Sequence, residues 1–239
     1  EGARAEREGR RLMATLLSIL QDAAAELSLT PPSSVVGSTR PEPVQMLALL
    51  NREGQALLEV DWPQLVTLKV VTTVNGQADY AFPTDFHRII DGTAWDRANG
   101  WPMLGPETPL EDRSRRESIS GMSGIRRTYR NVGASLRIYP TPSVAGEELV
   151  YEYVSRHWCQ ATGGGATKPA MTADADEPLI DEQLLILGVV WRFLAAKGMD
   201  PTIAFQNYQV RLDARKAALL GGGGVLNTRM VGEVFAENA

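Results

Sequence analysis

The chain has 239 residues, a net charge of −5 at pH 7, 44% hydrophobic residues and 22% charged residues. That balance supports a folded protein with a real core and offers no basic excess of the kind tight phosphate binding needs, though a local basic patch stays open. A single cysteine, Cys159, excludes an internal disulfide framework and gives no zinc cluster, and no apolar run of about 18 residues predicts a membrane span.

The N-terminal "EGARAEREGRR" is charged in both signs and lacks the apolar core and cleavage site of a signal peptide. Residues 5–28 read as a helix, with Leu12, Leu16, Ile19, Ala23 and Leu27 at spacings of three and four. Pro31 and Pro32 open a loop. A second helix is expected from about Pro41 to Glu59, capped by Thr39, with Val44, Leu47, Leu50, Leu57 and Leu58 inward. Pro63 ends it.

From residue 65 the period changes. "LVTLKVVTTV" (65–74) is rich in β-branched residues, and Asn75-Gly76 signals a hairpin turn. Further strands are expected over 86–95, 101–105, 126–140 and 147–158. The last two, "SLRIYP" and "EELVYEYVSRHW", read as a hairpin whose prolines guard the strand ends. Residues 110–119 read as a short exposed helix or a long loop. "QATGGGATKPAMTADADE" (160–177) reads as a flexible connection.

Helical signals return at 178–198, with Asp176 or Asp181 as cap and Gly198 as terminator. This segment is apolar nearly all round, so it should be central. Gly188 within it should mark a close approach by a neighbour. A last helix over 200–220 has Asp200 as cap and Phe205, Tyr208, Leu212 and Leu219 as its stripe. Four glycines end it. The fold expected is α+β: a helical bundle from N- and C-terminal helices with an inserted antiparallel β module and an extended C-terminal arm. The divisions are a helical part (1–62), the β module (63–160), a linker (161–177), a second helical part (178–220) and the arm (221–239).

Catalytic equipment is thin. "GGGATKP" lacks the Gly-Lys-Ser/Thr and following helix of a phosphate loop, since Pro169 follows Lys168. Ser120 and Ser123 do not fit a nucleophile elbow. His87 and His157 lack a nearby carboxylate pair for a metal, and Cys159 reads as a buried bystander. Asp174, Asp176 and Glu177 read as charge at a helix N-terminus. Trp95, Trp101, Tyr129, Tyr139, Tyr151, Tyr153 and Trp158 read as core or cross-strand pairs, with a sugar platform as the competing reading. The segment after Gly224 is too apolar for a disordered tail, carrying Val225, Leu226, Met230, Val231, Val234 and Phe235. Behind a glycine linker it reads as an arm docked on a neighbour, or folded back on its own domain. No cofactor, metal or catalytic residue is expected.

Four phrases occur in order: "LLNREGQALLEVDWPQL" (49–65), "DYAFPTDFHRII" (79–90), "YRNVGASLRIYPTPSVAGEELVYEYVSRHW" (129–158) and "DADEPLIDEQLLILGVVWRFLAAKG" (174–198). Together they resemble the head-to-tail adaptor (connector) proteins of tailed bacteriophages, near the tail-tubular and head-completion adaptors of short-tailed phages. The resemblance covers residues 10–220. It implies a virion structural protein of the neck. Its copies would form a ring, commonly twelve-fold, beneath the portal protein. The ring would meet tail tube or nozzle proteins and leave a channel for DNA without sequence-specific binding. It implies that the arm docks on the portal or a neighbouring copy. Peptidoglycan cleavage, linked to some related adaptors, has no matching site here. A cell-wall hydrolase using Asp174 or Glu177 with His157, and a carbohydrate-binding β module using Trp95 or Trp101, remain the alternatives.

Overall fold

The computed structural model describes residues 14–117 and 126–220. Among them are five α-helices and antiparallel strands, a mixed α+β fold as expected. The chain divides into two compact units: one takes in the residues up to Trp62 and those from Trp158 onward, the other Pro63–His157.

In the first unit, α1 (Leu16–Glu26) starts at Thr15, which forms a reciprocal capping box with Ser18. Leu16, Ile19, Leu20, Ala23 and Ala24 are buried. The earlier part of the helix expected over 5–28, with Leu12, lies outside the described residues. Helix α2 (Pro41–Ala56) runs into a 3₁₀ turn, Leu57–Glu59. Pro41 stands at its first position, but Arg40 is the cap residue and makes no side-chain cap bond, so Thr39 does not cap this helix. Its buried face is Pro43, Met46, Leu50, Glu53 and Gly54. Val44, expected inward, is exposed. The face is turned toward Glu53 and Gly54, where neighbours approach most closely.

The short helix α3 (Pro109–Glu117) belongs to the second unit, and the next helix of the first unit is α4. It spans Glu182–Ala196, capped by Asp181 (carboxylate to Leu184 N–H, 3.0 Å) and ended by Gly198 at φ +72°. Seven of its residues are buried, from Leu184 to Phe193, and it packs against α1, α2 and α5. It is therefore the central helix that its all-round apolar sequence predicts. Helix α5 (Thr202–Leu220) is capped by Asp200, whose carboxylate accepts from Thr202 N–H at 2.9 Å. Of its expected stripe only Tyr208 is buried; Phe205 and Leu219 are exposed. Phe205 and Tyr208 reach Trp191 of α4, with ring centroids 5.1 and 6.1 Å away.

Two glycines set the helix contacts. A Cβ on Gly54 would lie 2.3 Å from the indole of fully buried Trp158, and one on Gly188 would lie 2.4 Å from Cγ of Glu53. The close approach expected at Gly188 is thus made by α2.

Residues 161–177 are not a loose connection. The strands β9 (Cys159–Gln160), β10 (Thr167–Lys168) and β11 (Glu177–Pro178) form an antiparallel sheet in the order β10-β9-β11. Gly163 and Gly164, both at positive φ, turn the hairpin between β9 and β10. What reads as a flexible glycine run is a tight turn.

The second unit pairs two sheets. One contains β1 (Val66–Thr72), β8 (Glu148–Ser155), β4 (Trp95–Asp96) and β5 (Trp101–Pro102) in that order, with β3 (Phe86–Ile89) also on β8. The other is β2 (Asp79–Ala81), β7 (Ser135–Tyr139), β6 (Thr128–Val132), in the order β2-β7-β6. Val71, Tyr80, Ile89, Tyr129, Leu136, Ile138, Leu149, Tyr151 and Tyr153 belong to one buried core.

Strands β7 and β8 therefore do not form the expected hairpin. They lie in different sheets, and β7 pairs with β6 and β2. The run 126–140 is itself a hairpin, turned at Gly133 (φ +57°). Nor does Asn75-Gly76 join paired strands: β1 pairs with β8 and β2 with β7, so the chain changes sheet there. Strand β8 carries buried side chains on both faces, Leu149, Tyr151 and Tyr153 on one and Val150 and Val154 on the other, and takes the central position.

Candidate functional site

The carboxylates singled out in the sequence are occupied by their own fold. Asp174 accepts from the Val35 and Val36 N–H groups (3.2 and 2.8 Å) and from Ser34 Oγ (2.8 Å). Burial pushes its pKa up, but the Val36, Ser34 and Val35 donors outweigh that and hold it below the usual carboxylate value. Asp176 accepts from Lys168 Nζ at 2.6 Å and from the Thr172 and Ala173 N–H groups (2.7 and 2.9 Å). It too is held low, these donors overcoming burial. The carbonyls of Asp176 and Asp174 accept from Leu16 and Leu17 N–H, so the pair supplies the first turn of α1 with acceptors. Capping is their role, at α1 and at the 34–36 turn rather than at α4. Glu177 accepts from Gln160, Thr162 and Gly163. Lys168, in the glycine-rich run, is bound to Asp176 rather than set to hold a phosphate.

Cys159 is buried, and its thiol donates to the Lys168 carbonyl at 3.2 Å. Burial, then the nearby Asp176 charge, push the thiol up to about 12 against the pull of Lys168. A thiol so protonated is no nucleophile near neutral pH. His87 lies in β3 and His157 just past β8. Among the described residues, no group of three or more His, Cys, Asp or Glu side chains could hold a metal ion. Ser120 and Ser123 lie outside the described residues.

The aromatic residues divide by pleat. Tyr129, Tyr151, Tyr153 and Trp158 are buried. Trp95 and Trp101 are exposed, but Trp95 stands opposite Pro102 and Asp96 opposite Trp101. Side chains alternate along a strand, so the two indoles lie on opposite faces of the sheet and make no common sugar platform. Arg126 stacks over Trp101 at 5.4 Å.

The sequence reading missed three ion clusters, each built around a buried carboxylate. Glu53, fully buried, accepts from Arg192 Nε at 2.6 Å. Tyr208 faces it, and burial, then Glu53, push that phenol up. Asp181 accepts from Arg211 and Arg215 of α5 while capping α4. Its pKa, pushed up by burial, is pulled lower overall by those two cations and the Leu184 N–H. In the second unit, Arg127 bridges Asp96 and Glu147. Each cluster ties elements together.

What remains open is surface. Leu68, Val70, Val74, Trp95 and Val144 are exposed in the β unit, and Ile203 and Val210 on α5. Among the described residues no strand pairs with the outer edge of β1. Val225, Leu226, Met230, Val231, Val234 and Phe235 lie outside the described residues. Among the described residues no helix is long and apolar enough to cross a membrane.

Residues 14–229 match the family described as SU10 adaptor protein. The chain belongs to that family, in line with its resemblance to phage head-to-tail adaptors. No curated protein matches the chain.

Proposed function

We propose that this member of the SU10 adaptor protein family works as a ring in the neck of a tailed phage. Copies of the chain, twelve in the commonest form, bind beneath the portal protein. They join the DNA-filled head to the tail tube or nozzle and leave a channel through which DNA passes unread. The observation that carries this reading is the family match, which spans residues 14–229 and so takes in both units.

The chemistry of the fold supports a structural role. The buried carboxylates Glu53, Asp96, Asp176 and Asp181 are each paired with a cation of their own fold, while Leu68, Val70, Ile203 and Val210 are exposed. A ring needs a heterologous contact, one face of a copy against a different face of the next. The arm, residues 221–239, serves as a docking segment through Val225, Leu226, Met230, Val231, Val234 and Phe235, on the portal or a neighbouring copy. The overall charge of −5 suits a conduit that must not grip DNA. No cofactor takes part.

The test is the mass of the protein in solution, alone and with portal rings, for the full chain and for a chain ending at Leu220. Portal-dependent rings that are lost with the arm are expected. A monomer indifferent to the portal would overturn the reading.

A further inference from the structure

Strand β1 is bonded to β8 through alternate residues. Ser155 N–H donates to the Leu65 carbonyl and Thr73 N–H to the Glu147 carbonyl, at the two ends of the 66–72 register. Bonded pairs recur every second residue in an antiparallel ladder, so residues 65, 67, 69, 71 and 73 face β8. The N–H and C=O groups of Val66, Leu68, Val70 and Thr72 point away from it. Among the described residues no strand meets them. Thr67, Leu68, Val70 and Thr72 are exposed.

Proteins blunt an open edge with very short strands, proline, bulges or a covering segment. The other terminal strands among the described residues each have one of these. β2 has three residues, and β5, β10 and β11 have two each, with Pro102 in β5. β3 has four, with a register shift between Phe86 and Arg88. The outer side of β6 is covered by Leu104, which bonds to Arg127 and Tyr129, and by Glu107, whose N–H donates to the Tyr129 carbonyl. β1 is seven residues long, has no proline and runs in unbroken register. The described strand that can match this edge along its length is therefore β1 of a second copy.

Like strands related by a two-fold axis pair antiparallel, and charge and polarity choose the register. Centred on Lys69, the pair sets two ammonium groups opposite each other, which is destabilising. Centred on Val70, it puts Leu68 opposite Thr72 and Lys69 opposite Val71. Centred on Leu68, it puts Leu68 against Leu68 and Val66 against Val70, apolar on apolar, with Lys69 against Thr67. That row extends one already in the sheet, where Val70 stands opposite Val150, Val150 opposite Trp95 and Trp95 opposite Pro102. We propose that the outer edge of β1 pairs with the same edge of a second copy, antiparallel about a two-fold axis at Leu68, so that two sheets become one. The contact is isologous, so it does not close a head-to-tail ring. It belongs to the free chain, where it shields the edge from other strands.

The test uses the full chain without portal protein, so it succeeds or fails apart from the ring reading. Sedimentation equilibrium of the wild type should show a concentration-dependent dimer. Leu68→Lys and Leu68→Glu each set like charges face to face on the axis, and each alone should weaken association about tenfold or more with thermal unfolding preserved. Mixed in equal amounts, the two variants should restore the dimer, because opposite charges then meet. Disulfides read the register without adding charge and decide the matter if either charged variant fails to fold. Cys159 is buried. Leu68→Cys should oxidise to a covalent dimer, since bonded partners stand about 5.5 Å apart, within disulfide reach. Val70→Cys should not, its counterpart lying about 14 Å away along the strand. A wild type that stays monomeric would overturn the proposal. So would a mixture of charged variants that fold but do not associate, or Val70→Cys linking as fast as Leu68→Cys.

Discussion

Gly54→Ala sets two effects of opposite sign against each other. Alanine in a helix interior is better than glycine by about 1 kcal/mol, so propensity alone makes the variant more stable. The new methyl would stand 2.3, 2.4 and 2.6 Å from three indole atoms of Trp158. Ordinary carbon contacts lie at about 3.5–4.0 Å, so each of the three is too short by about 1 Å or more. The ring cannot step aside freely: Trp158 is fully buried and its Nε1–H donates to the Pro169 carbonyl at 2.8 Å. Overpacking of this kind costs about 1–3 kcal/mol, occasionally more, and a ring that is both fully buried and hydrogen-bonded places it at the upper end. The net expectation is a loss of about 1–2 kcal/mol, or a fall in Tm of about 2–8 °C for a chain this size. Urea titration followed by tryptophan fluorescence reads it. Trp158→Phe in the Gly54→Ala background should recover part of the loss, so that the double variant is more stable than the sum of the singles. A Gly54→Ala protein as stable as wild type, or more so, would refute the close packing of α2 on Trp158.

Removing Glu53 should be costly in a graded way. Glu53→Ala leaves the Arg192 guanidinium buried without its partner and should lose about 3–5 kcal/mol, whereas Glu53→Gln keeps an acceptor and should lose less; equal losses by urea titration would show that the retained acceptor and shape contribute nothing and that the charge carries the whole effect. Acid should act through Asp174, Asp176 and Asp181, whose folded pKa values are all lowered. Their contribution is fully present above the unfolded carboxylate value of about 3.9 and is lost as pH falls through it toward the folded values, so stability should be flat near neutrality and drop below about pH 4.5. An Asp181→Asn chain with an unchanged acid limb would argue against its share. Cys159 should resist alkylation at pH 8 in the folded chain and react on unfolding in urea, as a mass-spectrometric time course would record.

The alternation of folding modes is legible because the apolar period changes at residue 65 and changes back near 178. Asp181, Gly198 and Gly188 each announce their role: a cap, a left-handed stop and a close contact. Strand partners are harder, because adjacency in sequence favours a hairpin between 135–139 and 148–155 and nothing local forbids it. The contrary signal lies in β8 itself, where Leu149, Val150, Tyr151, Tyr153 and Val154 are all buried. A strand with buried residues on both faces belongs in the interior of its sheet rather than in a two-stranded hairpin, and β1, β3 and β4 pair with it. Residues 161–177 mislead for a related reason. Their glycines read as freedom, while the order comes from Asp174 and Asp176 bonding to backbone amides distant in sequence or hidden in turns. Glu53 was findable: a lone acid at helical spacing from Leu50 and Leu57 sits where an apolar residue would be expected. The open edge of β1 was not, since an edge is a property of the pairing and not of the strand.

Substituting that edge separates folding from assembly. Leu68→Lys with Val70→Lys places two charges on a row of β1 whose side chains are already 51% and 37% exposed. Lysine is a poorer strand former by a fraction of the roughly 1 kcal/mol that the whole propensity scale spans, and surface changes of this kind rarely exceed about 0.5 kcal/mol each. The isolated chain should therefore unfold within about 1 kcal/mol of wild type. Lysines on an edge oppose the approach of another strand, so self-association, read by sedimentation against concentration and in the presence of portal rings, should weaken sharply. A double variant that loses several kcal/mol would mean that this row is packed within the fold, and the surface would not be available to a neighbour. One that folds and assembles as wild type would move the subunit contact elsewhere, with the exposed Ile203 and Val210 of α5 as the next surface to alter.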